Sequence, residues 1–188
     1  MPPKAKFTKE ALIDTAYNMV RKHGTEILTA RGLAAELGSS TAPIFTLFHS
    51  IDEIQQLVIE RAKTLYEKGL HESLDEDLPF KAMGMNYISF AAREPQLFRL
   101  LFMGADPSSE FTNYLPGNNE DAHFVLENIT QIYGWSEHRA RWLYNHLSVY
   151  THGLAVLFAQ GQLVFTKEEA SKLLSEVYHA LIKEDKNE

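Results

Sequence analysis

The side chains that could do covalent or metal chemistry are few and scattered along this sequence. It contains no cysteine, so disulfides, thiolate metal sites and a cysteine nucleophile are excluded. None of its eight histidines lies three or four residues from another, which is the spacing at which two histidines on one helix share a metal ion. No glycine-rich phosphate loop and no nucleophile elbow is present. We therefore expect no metal, no cofactor and no catalytic residue, and a protein that is not an enzyme.

Small hydroxyl and methyl side chains are concentrated in one short segment. Residues 39–43 have the sequence Ser-Ser-Thr-Ala-Pro and directly follow Gly38. Small residues let backbone amides approach phosphates, and threonine and alanine methyl groups can contact thymine methyl groups. The spacing of apolar residues from Thr29 to Phe48 predicts two short helices with a turn at Gly38, the layout of a DNA-reading helix-turn-helix. A helical hairpin of this size also occurs as plain structural packing, so the pattern alone favours DNA binding only modestly.

The elements that must position this segment are helices. Apolar residues recur at helical spacing in almost every stretch, which predicts an all-α protein of about nine helices. We expect a helix-turn-helix DNA-binding domain at residues 1–48 and a ligand-sensing and dimerisation domain at residues 49–188. A long fourth helix is predicted to join them from Ser50, where Ser50 and Glu53 have the spacing of a capping box. No apolar run approaches the roughly 20 residues of a membrane helix, so we expect no membrane span. The absence of cysteine suits a reducing cytoplasm, so we expect a cytoplasmic protein.

The distribution of charge decides whether DNA is a plausible partner. The formal net charge of −7 argues against nucleic acid at first sight. Residues 1–63, however, carry 8 basic and 7 acidic side chains, whereas residues 64–188 carry 10 and 18. Phosphate contacts are local, so a nearly neutral head with a basic arm of Lys4, Lys6 and Lys9 remains compatible with DNA. The same arm is equally well explained as a solvated basic tail.

Residues 8–60 resemble the DNA-binding segment of the tetracycline-repressor (TetR) family of bacterial transcription regulators. The matching features are a capped helix that ends at His23-Gly24, the stretch 28–38, the stretch 40–48 with its aromatic pair Phe45 and Phe48, and the stretch 50–54. The resemblance implies a repressor that binds a pseudo-palindromic operator in double-stranded DNA as a homodimer and is released by a small-molecule effector. It also implies these DNA-contacting residues: Thr29, Arg31, Ser40, Thr41, Ala42, Pro43, Phe45, Thr46 and His49.

Three residues depart from the family pattern. Phe45 stands where the family often has tyrosine, and Ile51 stands where it commonly has lysine, so two phosphate contacts are missing. We therefore expect a shallower salt dependence of DNA binding than in a relative that carries both groups. Gly32 lies inside the predicted second helix, where glycine costs roughly 0.5–1 kcal/mol relative to alanine.

The helix predicted from Ser136 to about Gly161 carries two adjacent apolar stripes, one of them formed by Trp142, His146, Val149, Gly153 and Val156. One stripe would suffice for packing on its own domain, so two stripes predict a second contact, with another copy of the chain. The helix at 167–183 would complete a four-helix interface. The alternative is a central helix that is fully buried in a monomer. The predicted interface residues are Leu143, Leu147, Tyr150, Leu154, Leu157, Leu174, Val177 and Leu181.

An apolar effector cavity is predicted in the C-terminal domain from methionine and aromatic residues. Such residues at helical spacing more often form simple core, and His152 is as plausibly a satisfied core histidine as a ligand-binding donor. Tyr87 is a further candidate. The predicted ligand-binding residues are Met85, Phe90, Phe102, Met103, His152 and Phe158.

The sequence therefore favours a DNA-binding regulator over two rivals. One rival is a small all-α enzyme whose site is assembled from distant residues of the C-terminal domain. The other is a helical interaction protein that has the head but no operator.

Overall fold

A computed structural model describes residues 7–74, 79–104, 126–127, 130–131, 133–164 and 166–184. All regular structure in this part of the chain is helical, which confirms the predicted all-α class. A 3₁₀ turn, Thr25–Ile27, follows the first helix. Lys4 and Lys6 lie outside the described residues, as do most of residues 121–133, for which the sequence also predicts a helix. The α-helices with described bounds are α1 (Lys9–His23), α2 (Ala30–Glu36), α3 (Ala42–Leu47), α4 (Ile51–Leu74), α5 (Pro79–Arg93), α6 (Pro95–Phe102), α7 (Glu137–Ala159) and α8 (Lys167–Glu184).

Hydroxyl side chains define five of the helix starts, all at the predicted positions. Each hydroxyl oxygen accepts a hydrogen bond from the backbone N–H three residues later, at 3.0–3.3 Å. These bonds satisfy amide donors that have no partner within the helix, and they explain why the starts are readable from local sequence. The capping residues are Thr8, Thr29, Ser50, Ser136 and Thr166.

The chain divides into two compact units. Unit 1 comprises residues 1–67 and 94–104, and unit 2 comprises residues 68–93 and 105–188. The compact unit that holds the helix-turn-helix therefore extends beyond residue 48, the predicted end of the DNA-binding domain. The assignment of DNA binding to residues 1–48 stays a prediction. The core of unit 1 contains these side chains, all at most 2% exposed: Leu12, Val20, Leu33, Ile44, Phe48, Ile54, Val58, Leu97 and Phe98.

Helix α6 is a member of the unit 1 core, although it follows α5 of unit 2 in the chain. Leu97 and Phe98 of α6 are both fully buried. The guanidinium of Arg21, in the last turn of α1, forms two hydrogen bonds with the carboxylate of Glu94, the residue that precedes α6. This hydrogen bonding raises the pKa of Arg21 above its usual value. The burial of Leu97 and Phe98 and the ion pair of Arg21 with Glu94 thus stabilise the packing of α6 in unit 1.

Unit 2 is built on the contact of α5 with α7, and α8 packs against both. One face of α7 supplies much of the core, because its apolar residues recur at three- and four-residue spacing. Helix α8 packs next to Gly84 of α5: a Cβ at this position would lie 3.4 Å from Leu174 Cδ1, an ordinary van der Waals contact. The largest buried side chains of this unit include Ile88, Leu143, Leu147, Leu154, Phe158 and Leu174.

Gly32 is required by the packing of α2, contrary to the expectation that alanine would be better there. A Cβ at this position would lie 2.5 Å from the backbone carbonyl oxygen of Ile27 and 3.2 Å from Thr29 Oγ1. The carbonyl belongs to the 3₁₀ turn and cannot rotate away like a side chain. The intrinsic helix propensity of alanine is therefore outweighed by a steric clash.

Replacing Gly32 by alanine is expected to lower the free energy of unfolding by about 1–3 kcal/mol, the usual cost of overpacking. Urea unfolding of the two proteins, followed by circular dichroism, measures this difference. Ala35→Gly on the same helix serves as the control, because Ala35 is exposed and its replacement tests helix propensity alone. A Gly32→Ala protein that is more stable than the unaltered chain would contradict the packing explanation.

Candidate nucleic-acid interface

The helix-turn-helix predicted from residues 29–48 is present as α2, a tight turn and α3. Gly38 has a φ of 60°, a left-handed conformation that glycine adopts without strain. The amides of Gly38 and Ser39 donate hydrogen bonds back to the carbonyls of Ala35 and Ala34, at 3.0 and 2.9 Å. These bonds end α2 and reverse the chain. Pro43 lies in the first turn of α3, where its missing N–H is not needed.

Helix α3 has one buried face and one face open to solvent. Ile44 and Phe48 are buried in the core of unit 1, whereas Ala42, Phe45 and Thr46 are exposed. Phe45 is a large apolar side chain with 52% of its surface exposed. Because i, i+3 and i+4 positions share a helix face, residues 42, 45 and 46 form one continuous surface. His49, which is exposed two residues beyond the end of α3, is grouped with them. We call this set of four residues the outer face of α3.

All nine residues predicted to contact DNA are accessible on unit 1. Seven are exposed, and the other two, Thr41 and Pro43, are half-buried. Accessibility is necessary for DNA contact but does not demonstrate it, so their role stays a prediction. The seven exposed residues are Thr29, Arg31, Ser40, Ala42, Phe45, Thr46 and His49.

Several hydroxyl groups of this segment already make hydrogen bonds within the chain. Thr46 Oγ1 donates to the carbonyl of Ala42 at 2.9 Å, one turn back in α3. Ser39 Oγ donates to the carbonyl of Ser40 at 2.8 Å. Thr29 Oγ1 accepts from the amide of Gly32 and therefore also serves as the cap of α2. Threonine at positions 29 and 46 thus has a structural role besides any contact with DNA.

The cations near this surface differ in how far they are neutralised. Lys9 Nζ lies 3.9 Å from Glu53 Oε1 and 4.9 Å from the ring centre of Phe48, so its charge is partly engaged. Arg61 pairs with Asp14. Arg31 is exposed and forms no ion pair within the described ranges. Of these three cations, Arg31 is therefore the one best able to bind a phosphate.

Comparison with known proteins identifies the architecture. A TetR-like transcriptional regulator from Rhodococcus sp. RHA1 aligns with a TM-score of 0.68, over 95% of this chain and 99% of that chain. The chain has a TetR-like fold. No protein-family model and no curated protein sequence matches it. The two aligned sequences are 13% identical, so the likeness establishes the fold, and function must be argued from the residues.

The six residues predicted to bind an effector are divided between the two units of this TetR-like fold. Phe102 and Met103 belong to unit 1, where the Phe102 ring packs edge-on against Tyr66 with centroids 5.0 Å apart. The remaining four belong to unit 2. The structure thus does not bring the six into one compact unit. The four in unit 2 are Met85, Phe90, His152 and Phe158.

His152 is a half-buried histidine with a defined partner. Its Nδ1 lies 2.8 Å from the hydroxyl of Tyr87, which links α7 to α5. Burial lowers the pKa of His152 below its usual value, which favours a neutral imidazole at pH 7. This geometry fits the satisfied core histidine that the sequence left open, and it does not by itself indicate a ligand.

Phe158 lines an open groove of about 360 Å³ beside the turn between α7 and α8. The groove is mainly apolar, with Leu163, Val164 and Leu173 beside Phe158 and with charged residues at its edge.

No group of three or more histidine, aspartate or glutamate residues that could hold a metal ion occurs within the ranges described. Over the same residues, no helix combines the length and apolar character of a membrane span.

The residue assignment of the dimer surface requires a correction. Leu143, Leu147, Leu154 and Leu174 are at most 8% exposed within the single chain, so their side chains form the core of unit 2 and are not available to a second copy. The other four predicted interface residues are half-buried. They are Tyr150, Leu157, Val177 and Leu181.

The second stripe of α7 is the more accessible of its two apolar surfaces, since His146, Val149 and Gly153 are exposed, while Trp142 and Val156 are half-buried. Val149 is 57% exposed, and a Cβ built on Gly153 would meet nothing within 4 Å. The His146 ring lies 4.4 Å from the Trp142 ring, and its Nδ1 donates to the Trp142 carbonyl at 2.8 Å. We call the set of Trp142, His146, Val149, Gly153 and Val156 the outer stripe of α7. The sequence identified both stripes but not which one faces inward.

Proposed function

We propose that this protein is a transcriptional repressor that binds a pseudo-palindromic operator in double-stranded DNA as a homodimer. The observation that carries the proposal is the outer face of α3, an accessible helix surface held in a helix-turn-helix by the buried Ile44 and Phe48. The TetR-like fold supports it, because the aligned Rhodococcus protein is described as a transcriptional regulator. The role we propose is non-enzymatic and cytoplasmic.

An α-helix fits the major groove of B-DNA, and helix-turn-helix proteins use their second helix in this way. In this orientation Thr41, Ala42 and Thr46 of this chain would face base edges, while Phe45 and His49 would lie against the sugar-phosphate backbone. Thr29 and Arg31, at the start of α2, would contact phosphate. With these contacts, the outward residues of α3 can be small or aromatic and need not be charged.

Dimerisation would follow from the outer stripe of α7. A pseudo-palindromic operator places two half-sites about 34 Å apart, and two heads bound together recognise it much better than one. The outer stripe supplies an apolar surface that is accessible in the single chain, centred on Val149 and Gly153. A second copy related by two-fold symmetry would cover this surface on both chains.

Release by a small-molecule effector in the C-terminal domain is the third part of the proposal. It is supported by an apolar groove beside Phe158 and by a polar pair, Tyr87 and His152, that links α5 to α7. Binding pockets combine apolar walls with a few polar groups that fix orientation.

Replacing Thr41 and Thr46 together by alanine is expected to weaken operator binding at least about thirtyfold, since methyl and hydroxyl contacts are lost in both half-sites. A gel-shift assay with the DNA that flanks the gene measures this change. Thr64→Ala is the matched control: Thr64 is exposed on α4, and its hydroxyl donates to the Glu60 carbonyl at 3.0 Å, just as Thr46 does to Ala42. Equally weak binding to all sequences, unaffected by the double substitution, would favour the enzyme or interaction-protein alternatives.

Replacing Ile51 by lysine is expected to steepen the dependence of log affinity on log salt by about one unit for each half-site that gains the contact. Ile51 is the half-buried first residue of α4 and stands where the family commonly has lysine. Binding titrations at several salt concentrations measure the slope. Leu65→Lys adds the same charge to an exposed position about 20 Å further along α4 and should leave the slope nearly unchanged. Equal slopes for both variants would refute the proposed phosphate contact.

A further inference from the structure

The outer face of α3 lacks the side chains that usually read guanine and adenine. From Leu37 to His49 the chain contains no arginine, lysine, asparagine, glutamine, aspartate or glutamate. Arginine and lysine bind guanine O6 and N7, and asparagine and glutamine bind adenine N6 and N7, in each case through paired hydrogen bonds. If this face reads DNA, as proposed above, it must do so with other groups.

Two of the hydroxyl groups on this segment already donate their hydrogen within the chain. The hydroxyl hydrogen of Thr46 is donated to the Ala42 carbonyl, and that of Ser39 to the Ser40 carbonyl. Pro43 has no backbone N–H to offer. The groups left for base contact at positions 42 and 46 are therefore the methyl groups and the acceptor lone pairs of Thr46 Oγ1, with the exposed Phe45 ring beside them.

We infer that this protein recognises its operator mainly through thymine, by packing the methyl groups of Ala42 and Thr46 against the 5-methyl group of the base. Thymine is the one DNA base that presents an apolar group in the major groove. An apolar face that meets this group gains from the removal of both surfaces from water. The inference rests on the proposed DNA-binding function and specifies the chemistry by which it selects a sequence. Arg31 then supplies affinity through phosphate and not through guanine.

The test begins with the full-length protein and selection of bound duplexes from random-sequence DNA. In the selected operator, each thymine is replaced by deoxyuridine, which differs only by the absence of the 5-methyl group. Loss of one buried methyl corresponds to about a fourfold loss of affinity, and symmetric replacement in both half-sites to about 15-fold. In a second series each guanine is replaced by 7-deazaguanine, which lacks the N7 acceptor and should leave the affinity unchanged.

Two variants at one position separate the methyl group from the hydroxyl group. Thr46→Ser removes only the methyl group and should weaken binding to the thymine operator by about 15-fold, while abolishing the penalty for deoxyuridine at the contacted position. Thr46→Val keeps a methyl group in place and should retain that penalty. Thr64→Ser, which removes the same group from an exposed site on α4, should change neither value.

The outcomes distinguish this inference from the function on which it rests. If the protein selects no sequence, both the proposed function and the inference are wrong. If it selects an operator that is insensitive to deoxyuridine but sensitive to 7-deazaguanine, the DNA-binding proposal stands and the thymine inference is overturned, with Arg31 or His49 as the guanine reader. A thymine penalty that Thr46→Ser removes supports both.

Discussion

Replacing Phe98 by alanine is expected to lower the free energy of unfolding of unit 1 by about 3–5 kcal/mol, the usual cost of truncating a buried phenylalanine. Phe98 is fully buried, and its ring lies 5.3 Å from that of Phe102 in the same helix. Since Ile44 and Phe48 belong to the same core, its loss should also weaken the support of α3 and hence DNA binding. Urea unfolding monitored by circular dichroism, combined with a gel-shift assay, measures both effects.

The control for this substitution is Met103→Ala, directly after α6. Met103 is 38% exposed, so its truncation should change stability by about 0.5 kcal/mol or less. Phe45→Ala provides the opposite contrast: it should preserve stability and weaken DNA binding, because Phe45 is half exposed on the outer face of α3. If Phe98→Ala left stability unchanged, α6 would not be part of the core that holds the helix-turn-helix.

Replacing Val149 by glutamate is expected to convert the proposed homodimer into a monomer and to weaken operator binding by about a thousandfold, toward the level of non-specific binding. The side chain is exposed in the single chain, so the folded subunit tolerates a charge there. At a two-fold interface, however, the substitution would bury two unpaired carboxylates near each other, which is strongly unfavourable. Analytical ultracentrifugation measures the change in mass.

Leu65→Glu is the matched control, because Leu65 is an exposed apolar residue on α4 that belongs to unit 1 and not to the outer stripe of α7. That variant should stay dimeric. A Val149→Glu protein that remained a dimer with full operator affinity would show that another surface mediates self-association. Leu143→Ala tests the corrected assignment: Leu143 is fully buried, so its truncation should destabilise the subunit by about 2–5 kcal/mol.

The features predicted most accurately are those that short-range bonds determine. Thr8 and Thr166 mark helix starts because a hydroxyl group bonds to an amide three residues later, and both partners can be seen in the sequence. The turn at Gly38 is similar, since a positive φ and two local carbonyl bonds are enough to end α2. Such predictions need no knowledge of what packs against the segment.

The candidate site was only partly predictable. The accessibility of the outer face of α3 follows from the spacing of Ile44 and Phe48, which alternate with exposed residues. The hydrogen bond from Thr46 to the Ala42 carbonyl was not foreseen, although the four-residue spacing of a threonine and a helix carbonyl could have indicated it. The effector residues were chosen by residue type alone, and residue type does not tell which compact unit each one joins.

By itself, the sequence determined the helical class, the capped helix starts and the helix-turn-helix, because these depend on periodicity and on bonds between neighbours along the chain. Only the tertiary structure decided that α6 completes the core of unit 1, that Gly32 must lack a side chain and that Leu143 faces inward while Val149 faces outward. These properties depend on residues distant in sequence or on backbone positions outside the helix concerned. Two apolar stripes on one helix are equivalent until a partner helix covers one of them.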